Sequence, residues 1–586
     1  MGKSIWKHTR IDYDFGPLAE SLGISPQLAE IMVKRGINTP DKMRAFLNPS
    51  MEQMHAPELL KDMEKGCEIL EWAVNEKKKI RVIGDYDVDG VMSTTILLKG
   101  LTRLGAEVDA RIPDRIKDGY GIRTYMVEEA FEDGCQVILT CDNGISAGEA
   151  VKRGKDLGMK IVLTDHHEIP FQENQGEKTY VVPPADAVID PKQEECTYPF
   201  KEICGAVVAY KLMQEMYNRA GKNISAEKDL LVFAAIATVC DVMPLIEENR
   251  AIVALGLRDV HHTKNPGLDS LLKVKNLQDK PVSAYHFAFI IGPCINAAGR
   301  IDTAKKSLEM FMAEKDTDNM AVELSELNDE RKALTASMEE IAFKLVEQGE
   351  LKNDKVLLVY LPECHESIAG IVAGHIREKY YRPALVAVKG EKCVKGSGRS
   401  IPEYSMYEEL NRAKEYFLEF GGHPLAAGFS LEEENVEPLR KRLNELTTLS
   451  DEDLTEKIYF DLLMSLSRTS LSLLNDLERI EPSGQKNARP LFAATGLEIC
   501  EMALLGENKT VLRIKVREQD ENKLYTVMDF DGGKKLREVL EEKYGKGCFE
   551  AVLAGKKGCK VDMLYKLRKN EYNGGVYLQI QAQHYR

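Results

Sequence analysis

From residue 79 to 190, short β-branched runs alternate with stretches of helical spacing. IRVIG, EVDARIP, QVILTC, KIVLT and DAVID have strand length, and VMSTTILLKGLTRLG and GEAVKRGKDLG lie between them. This alternation predicts βαβ units and a mostly parallel sheet. Upstream, LAESLG, PQLAEIMVKRG and PDKMRAFLNP carry apolar residues at 3.6-residue spacing with Gly and Pro stops, so residues 1–75 read as a helical region. Residues 200–310 are mainly helical, which closes an α/β domain over 76–312. A long polar helix is expected over 313–350, joining two lobes, with Leu324, Leu327 and Leu334 on one packed face. VLLVY, a helix from Ile368 to Tyr380 and ALVAV predict a smaller α/β lobe over 351–446, with GSGRS and GGHPLAAG as glycine-rich loops. The polar TTLSDEDLTEK, 447–457, reads as a linker. VLRIKV, KLYTVMDF, CFEAVLAG and VYLQIQAQ then read as closely spaced strands of a small barrel over 455–586.

Composition narrows the class. A chain of 586 residues suggests three or four domains at roughly 100–200 residues each. No apolar run approaches the ~20 residues that span a bilayer, and MGKSIWKHTRIDYDF lacks the apolar core of a secretory signal. Gly2 without further support does not carry a myristoylation reading. The twelve cysteines form no CxxC pair, which argues against zinc ribbons, and Cys141 and Cys240 sit inside apolar runs as small hydrophobes. The reducing cytoplasm is the expected compartment. A net charge of -15 does not advertise nucleic-acid binding, but a local basic groove can coexist with an acidic exterior.

The candidate chemistry lies where apolar runs stop. IRVIGDYDVDG places Asp85, Asp87 and Asp89 after a strand, VILTCDNGIS places Asp142 after a second, and IVLTDHHEIP places Asp165, His166 and His167 after a third. AAIATVCDVMPL adds Asp241. Open α/β sheets build their sites at strand carboxyl ends. One strand-end Asp is ordinarily a helix cap or turn residue; four clusters at equivalent ends predict a two-metal hydrolytic centre. Carboxylates with imidazole favour Mn²⁺ over Mg²⁺. Two ions about 3.5–4 Å apart activate a water and neutralise phosphate charge, and Asp142 is placed to bridge them. His261 and His262 sit in a polar turn and read as inert.

GDYDVDG, CDNGIS, TDHHE and CDVMPL resemble the four signature motifs of the DHH phosphoesterase superfamily. IPDRIKDGYG, IGPCINAAGRI, CHESIAGIVAGH, GSGRSIPEY, FGGHPLAAGF and VDMLYKLRKNEYNGGVYLQI narrow the resemblance to the bacterial RecJ family, from about residue 45 onward. The resemblance implies a multidomain α/β fold: a DHH parallel-sheet lobe, a connecting helix, a DHHA1 lobe and an OB-like β-barrel. It implies a single-stranded-DNA-specific 5′→3′ exonuclease of recombination and repair that releases 5′-mononucleotides. It assigns two divalent ions to Asp85, Asp87, Asp89, Asp142, His166 and Asp241. His167 is left to contact either the scissile phosphate or a carboxylate behind the ligands. Asn296 and His365 fall within its substrate-binding motifs, and Gly421, Gly422 and His423 match the substrate-binding motif of the second lobe. A single-stranded-DNA-binding protein and a RecQ-like helicase are the implied partners, with a monomeric enzyme and no membrane. The chain departs from the pattern at Cys294, at Gly374–His375 and in EPSGQKNARP, 481–490. These departures touch DNA contacts and packing rather than metal ligands.

Residue chemistry extends the substrate reading. Arg115 and Arg300 suit phosphate, because guanidinium forks match its oxygens. GSGRS offers Ser397, Arg399 and Ser400 as a nest for a terminal phosphate; alone it also fits a hairpin turn. Tyr120 stacks on a base or packs on the sheet. Tyr565, Tyr577 and the basic stretch Lys556, Lys557, Lys560, Lys566, Arg568, Lys569, read as lying between the last strands, suit a single-strand groove. The competing readings are a DHH phosphodiesterase acting on short RNA or cyclic dinucleotides, a pyrophosphatase of related fold, and a non-catalytic DNA-binding protein. The barrel, the length and the retained acids speak against them in that order.

Overall fold

The computed structural model describes residues 4–119, 121–174, 177–519, 521–556 and 558–586. The chain forms two compact units, one of residues 50–456 and the other of residues 4–49 with 457–586.

The first unit carries the expected parallel sheet. Its strands run in the order Val108–Arg111, Ile80–Ile83, Val137–Cys141, Lys160–Thr164 and Ala187–Ile189, every pair parallel. The inner strands are buried on both faces, which explains their unbroken apolar composition. Met63–Asn75, Val88–Arg103, Gly205–Arg219 and Lys228–Cys240 pack on one face, and Thr124–Glu132 and Gly148–Asp156 on the other. The long helix is Asp318–Gln348; Leu324 is buried and Leu327 half-buried, whereas Leu334, expected on the same face, is exposed.

The smaller lobe of this unit holds a mixed sheet in the order Glu419–His423, Ala426–Leu431, Val394–Arg399, Ala384–Lys389, Leu357–Tyr360. Two expectations change here. GSGRS is not a loop: Gly396 to Arg399 lie in a central strand, paired on both sides. GGH likewise belongs to the edge strand. Glycines inside paired strands mark close packing rather than turns, and the Phe429 ring fills the space where a Gly396 side chain would stand.

The second unit closes a five-strand barrel through Phe492–Leu505, Val511–Arg517, Leu524–Asp529, Gly575–Tyr585 and Cys559–Tyr572, the last pairing back to the first. CFEAVLAG, expected as a strand, holds a helix over Cys548–Leu553 that buries Cys548, Phe549 and Val552 at helical spacing. Most of the basic stretch is not between strands: Lys560, Lys566, Arg568 and Lys569 lie within Cys559–Tyr572, the first three beside buried Val561, Tyr565 and Leu567. Lys557 lies outside the described residues. The N-terminal helical region also divides. Gly16–Leu22, Pro26–Lys34 and Pro40–Leu47 belong to the barrel's unit, where Leu28, Ile31, Met32, Met43 and Phe46 join its core. Ile5–Lys7, in the stretch read as helical, is a strand paired with Lys457–Tyr459. No helix among the described residues is long and apolar enough to cross a membrane.

Candidate metal centre

The strand Ile80–Ile83 ends at Gly84, and the chain turns directly into the helix Val88–Arg103. Asp87 caps that helix, its carboxylate accepting from Gly90 N at 3.1 Å. Gly90 is required by contact: a Cβ there would stand 2.4 Å from the Asp85 carbonyl oxygen. Asp89, in the first helical turn, accepts from Gly205 N at 2.7 Å and Ala206 N at 2.8 Å, which binds it to the start of the Gly205–Arg219 helix. Asp142 follows the next strand with φ +58. Asn143 ties the two strand ends together by donating to the carbonyls of Ile83 and Cys141. His166 Nε2 lies 3.1 Å from Asp142, 3.5 Å from Asp89 and 3.9 Å from Asp241. Asp241 ends the helix Lys228–Cys240 rather than a strand, which corrects its expected setting.

These side chains form three overlapping sets whose ligand atoms lie within 4.8 Å of one another: Asp85, Asp87, Asp142; Asp142, His166, His167; and Asp89, His166, Asp241. Asp142 and His166 each belong to two sets. Asp165 stands behind them. It accepts from Ile145 N and His166 N and holds His167 Nδ1 at 2.7 Å.

The electrostatics call for a cation. Burial, and then Asp87, pushes the Asp85 carboxyl well above its usual range. Burial with Asp89, Asp87 and Asp85 does the same to Asp142. Asp241 is pushed up to about 8 by burial, Asp89 and Asp87. His166 is lowered by burial and is therefore a neutral imidazole, the form that ligates metal. Burial lowers His167 too, but its hydrogen bond to Asp165 overcomes this and raises it to about 9. Among the described residues, buried Asp85 Oδ1 and Asp241 Oδ2 find no hydrogen-bond partner. Crowded carboxylates with orphaned oxygens beside a neutral imidazole fit hard divalent ions.

A pH dependence follows. Without metal, Asp85, Asp142 and Asp241 have folded values above the unfolded ~3.9. Their stabilising contribution is full below that value and disappears as pH rises through the folded one, about 8 for Asp241. Divalent ions take the place of the lost protons. The gain in melting temperature on adding saturating Mn²⁺ is expected to be larger at pH 8.5 than at pH 5.5. Equal gains at both would remove these acids as the metal seat.

Three guanidinium groups lie near the acids, Arg115 within the field of Asp85 and Asp87 and Arg300 within that of Asp87. Arg115 lies over the ring of Tyr86, between Asp85 and Asp87, at 4.6 Å. Arg300, on the helix Gly292–Ile301, donates to Ser367 O in the smaller lobe at 2.5 Å. Arg399 donates to Ser397 Oγ at 3.0 Å and to Gly398 O. Among the described residues none of the three has an ion pair. Burial, then repulsion from Arg115, Arg331 and Arg399, lowers Arg300 to about 9. Burial and Arg115 also lower Arg399. Gly370 makes room for them, since a Cβ there would meet the Arg399 guanidinium and Ser397 Oγ below 3 Å.

The other expected substrate residues are placed unevenly. Asn296 stands four positions before Arg300, and its buried Oδ1 has no partner among the described residues. His365 caps the helix Glu366–Tyr380 and contacts Ser367 Oγ at 2.7 Å. Ser400 is buried and donates to Tyr404 O. Gly421, Gly422 and His423 lie on the exposed edge strand and, among the described residues, make no hydrogen bond to the acidic set. Tyr120 lies outside the described residues. Tyr565 is buried and bonds to Met464 O, so it offers no stacking face, whereas Tyr577 is exposed. Asp190 was not anticipated. It follows the fifth strand, is raised to about 8 by burial and Asp165, and leaves Oδ2 buried without a partner. Its signal was the last letter of DAVID, at the same strand end as the other acids. Arg331 was missed because nothing in a polar helix distinguishes one cation from its neighbours.

The departures from the expected pattern are accommodated locally. Cys294 is buried, and its sulfur accepts from Asn328 Nδ2 at 3.7 Å. His375 pairs with Glu339 of the connecting helix. In 481–490, Asn487 donates to the carbonyls of Ile480 and Pro482 and accepts from Arg35.

Comparison with known proteins matches residues 79–238 to the DHH family N-terminal domain, 353–448 to the DHHA1 domain and 460–584 to the RecJ OB domain. The chain is 31% identical over 581 residues to the single-stranded-DNA-specific exonuclease RecJ of Escherichia coli, covering 95% of each. It is 34% identical over 524 residues to the Bacillus subtilis exonuclease of the same name, covering 88% of this chain and 65% of that one. The chain thus spans just under two thirds of one relative and nearly all of the other. The crystal structure of Thermus thermophilus RecJ with Mn²⁺ superposes with a TM-score of 0.80 at 26% identity, over 99% of this chain and 79% of that one. A manganese-bound exonuclease RecJ structure gives a TM-score of 0.57 at 33% identity, over 67% and 96%. The matched domains, in this order and over this length, place the chain in the RecJ family of DHH phosphoesterases.

Proposed function

We propose that the chain is a metal-dependent exonuclease that degrades single-stranded DNA from the 5′ end and releases 5′-mononucleotides. The observation that carries this reading is the convergence of Arg115, Arg300 and Arg399, half-buried and, among the described residues, in no ion pair, beside the acidic set. Half-buried guanidinium groups that repel one another favour an anion whose oxygens match their forks, and a chain-terminal phosphate supplies one.

Asp85, Asp87, Asp89, Asp142, His166 and Asp241 would hold two divalent ions, Mn²⁺ or Mg²⁺. When bound, these supply an activated water and neutralise charge developing on the phosphate. The chain's own residues do the rest. Asp165 fixes the ring of His167 through Nδ1 and favours its protonated form, which would offer a donor to a phosphate oxygen. Arg300 and Arg399 hold the terminal phosphate, Arg399 with its fork oriented by Ser397. Such contacts read no sequence. The lobes at 76–312 and 351–446, joined by the helix in 313–350, form the catalytic body, and 455–586 with the N-terminal helices provides the strand-holding module. We assign the monomer as the working form, the cytoplasm as the compartment, consistent with twelve free thiols, and a single-stranded-DNA-binding protein and a RecQ-like helicase as partners.

The test compares 5′-labelled, 3′-labelled, duplex and circular DNA and short RNA with Mn²⁺ or Mg²⁺. Early release of the 5′ label and resistance of circles are expected; rapid digestion of a circle would end the polarity assignment.

The barrel's contribution can be isolated. A fragment of residues 50–456 respects the observed units, whereas ending the chain near 450 would strand residues 4–49 without the core they join. The fragment is expected to keep slow Mn²⁺-dependent cleavage of short oligonucleotides. It should bind long strands more weakly, with a shallower salt dependence, because fewer phosphates are neutralised. Equal affinity and salt slope in fragment and full chain would remove the barrel from DNA binding.

A further inference from the structure

Tyr285, Phe289 and Val242 are exposed at 60%, 64% and 63%, high values for large apolar side chains, and the mechanism above uses none of them. The Tyr285 and Phe289 rings lie 5.0 Å apart, inclined by 33°. Tyr285 lies in the short helix Ala284–His286, and Phe289 lies in the π-helical turn Phe287–Ile291 that follows it and leads into Gly292–Ile301. Phe287 and Ile291 turn into the core, fully buried, so the two rings stand on the opposite, outward side. Single π-turns inside helices concentrate at functional sites.

The turn adjoins the acidic set. Cys240 Sγ donates to Phe287 O at 3.4 Å, and a Cβ on Gly292 would stand 2.4 Å from the same sulfur. Asp241 is the next residue, and Val242 follows it at φ +58, a costly conformation for a β-branched residue. The helix leaving the turn carries Asn296 and Arg300 toward the smaller lobe. One continuous segment therefore runs from the exposed rings, past the residue before a metal ligand, to a phosphate-binding candidate.

We propose that Tyr285 and Phe289 form a stacking ledge for nucleobases of the substrate strand at the rim of the metal centre. The proposal rests on the single-strand nuclease reading and adds to it the residues that grip bases. Inclined, exposed aromatic faces accept any base, because every base has a π-face. That suits an enzyme that must hold a strand without reading it. Continuity with the acidic set is what selects the strand over other occupants.

The test uses the full chain with both Tyr285 and Phe289 replaced by Ala, and separately by Leu. Substrates are a normal single strand and one with abasic sites near the 5′ end. The Ala variant is expected to raise KM on the normal strand by about 10- to 100-fold with kcat within about twofold. It should match wild type on the abasic strand, on which wild type itself is weakened. The Leu variant keeps apolar area without a π-face and should behave like Ala. Wild-type behaviour of the Ala variant on both strands would overturn the proposal. So would equal losses on both strands, recovery with Leu, or a change in oligomeric state in place of KM. Quenching of a 2-aminopurine strand by the metal-free protein, lost in the Ala variant, reads the ledge independently of cleavage. A wild-type protein that quenches but cuts no strand would refute the nuclease reading, whereas active cleavage without quenching would refute the ledge.

Discussion

Asp142→Asn is expected to lower strand degradation by about a thousandfold or more, while the metal-free protein at pH 8 becomes no less stable than wild type. Asp142 belongs to two of the three ligand sets and contacts His166 at 3.1 Å, so its loss weakens the whole centre. Metal stabilisation of phosphoryl transfer is worth several kcal/mol, and each 1.36 kcal/mol is about tenfold in rate. The stability half has the opposite sign. The Asp142 carboxyl is raised by burial and by Asp89, Asp87 and Asp85, so in the folded metal-free chain its ionisation is unfavourable. Its stabilising contribution is therefore present at low pH and falls as pH rises. The amide keeps the shape, carries no charge and removes that loss. Melting curves in chelator and turnover in Mn²⁺, measured on one preparation, check both halves. Near wild-type turnover by Asp142→Asn would sink the assignment, and a melting temperature several degrees lower at pH 8 would show that Asp142 is structural.

Arg399→Ala is expected to reduce kcat/KM on 5′-phosphorylated strands by about 10- to 100-fold, the scale of a lost charged hydrogen bond. On strands with a 5′-hydroxyl the loss should be small. Arg399 has no ion pair among the described residues and is partly desolvated, so in the free protein its charge waits for an anion. Arg399→Lys retains charge without the planar fork and should recover only part of the preference. The measurement is the ratio of kcat/KM for the two 5′ ends in each variant. An unchanged ratio would show that Arg399 serves packing with Gly370 and Ser397 rather than the phosphate. Arg300→Ala is a poorer probe, because Arg300 also bonds Ser367 across the lobes and its loss disturbs their contact.

Asp85, Asp142 and Asp165 are legible as candidate site residues because each follows an apolar strand, and parallel strands deliver their carboxyl ends to one edge. Asp190 obeys the same rule at the end of the fifth strand. The helix over 548–553 was misread because CFEAVLAG is apolar enough for a strand, and in so short a run the period is ambiguous. The strand 559–572 was masked by its charges, although Lys560, Lys566 and Arg568 alternate with buried positions as an amphipathic strand requires.

Other features had no local signal. GSGRS has the composition of a turn, and it is a strand because Ala384–Lys389 and Ala426–Leu431 pair on both sides of it. Residues 4–49 read as an independent helical region, yet their apolar faces complete the core of a barrel that begins more than 400 residues later. Arg115, Arg300 and Arg399 are each nameable as phosphate residues, but Arg399 comes to repel the other two only when the two lobes meet. Periodicity, caps and strand ends are encoded within a few residues of where they act, so the string displays them. Which surface covers an apolar face, and which charge stands unpaired beside another, depends on residues brought together across hundreds of positions, where chain spacing carries no distance information.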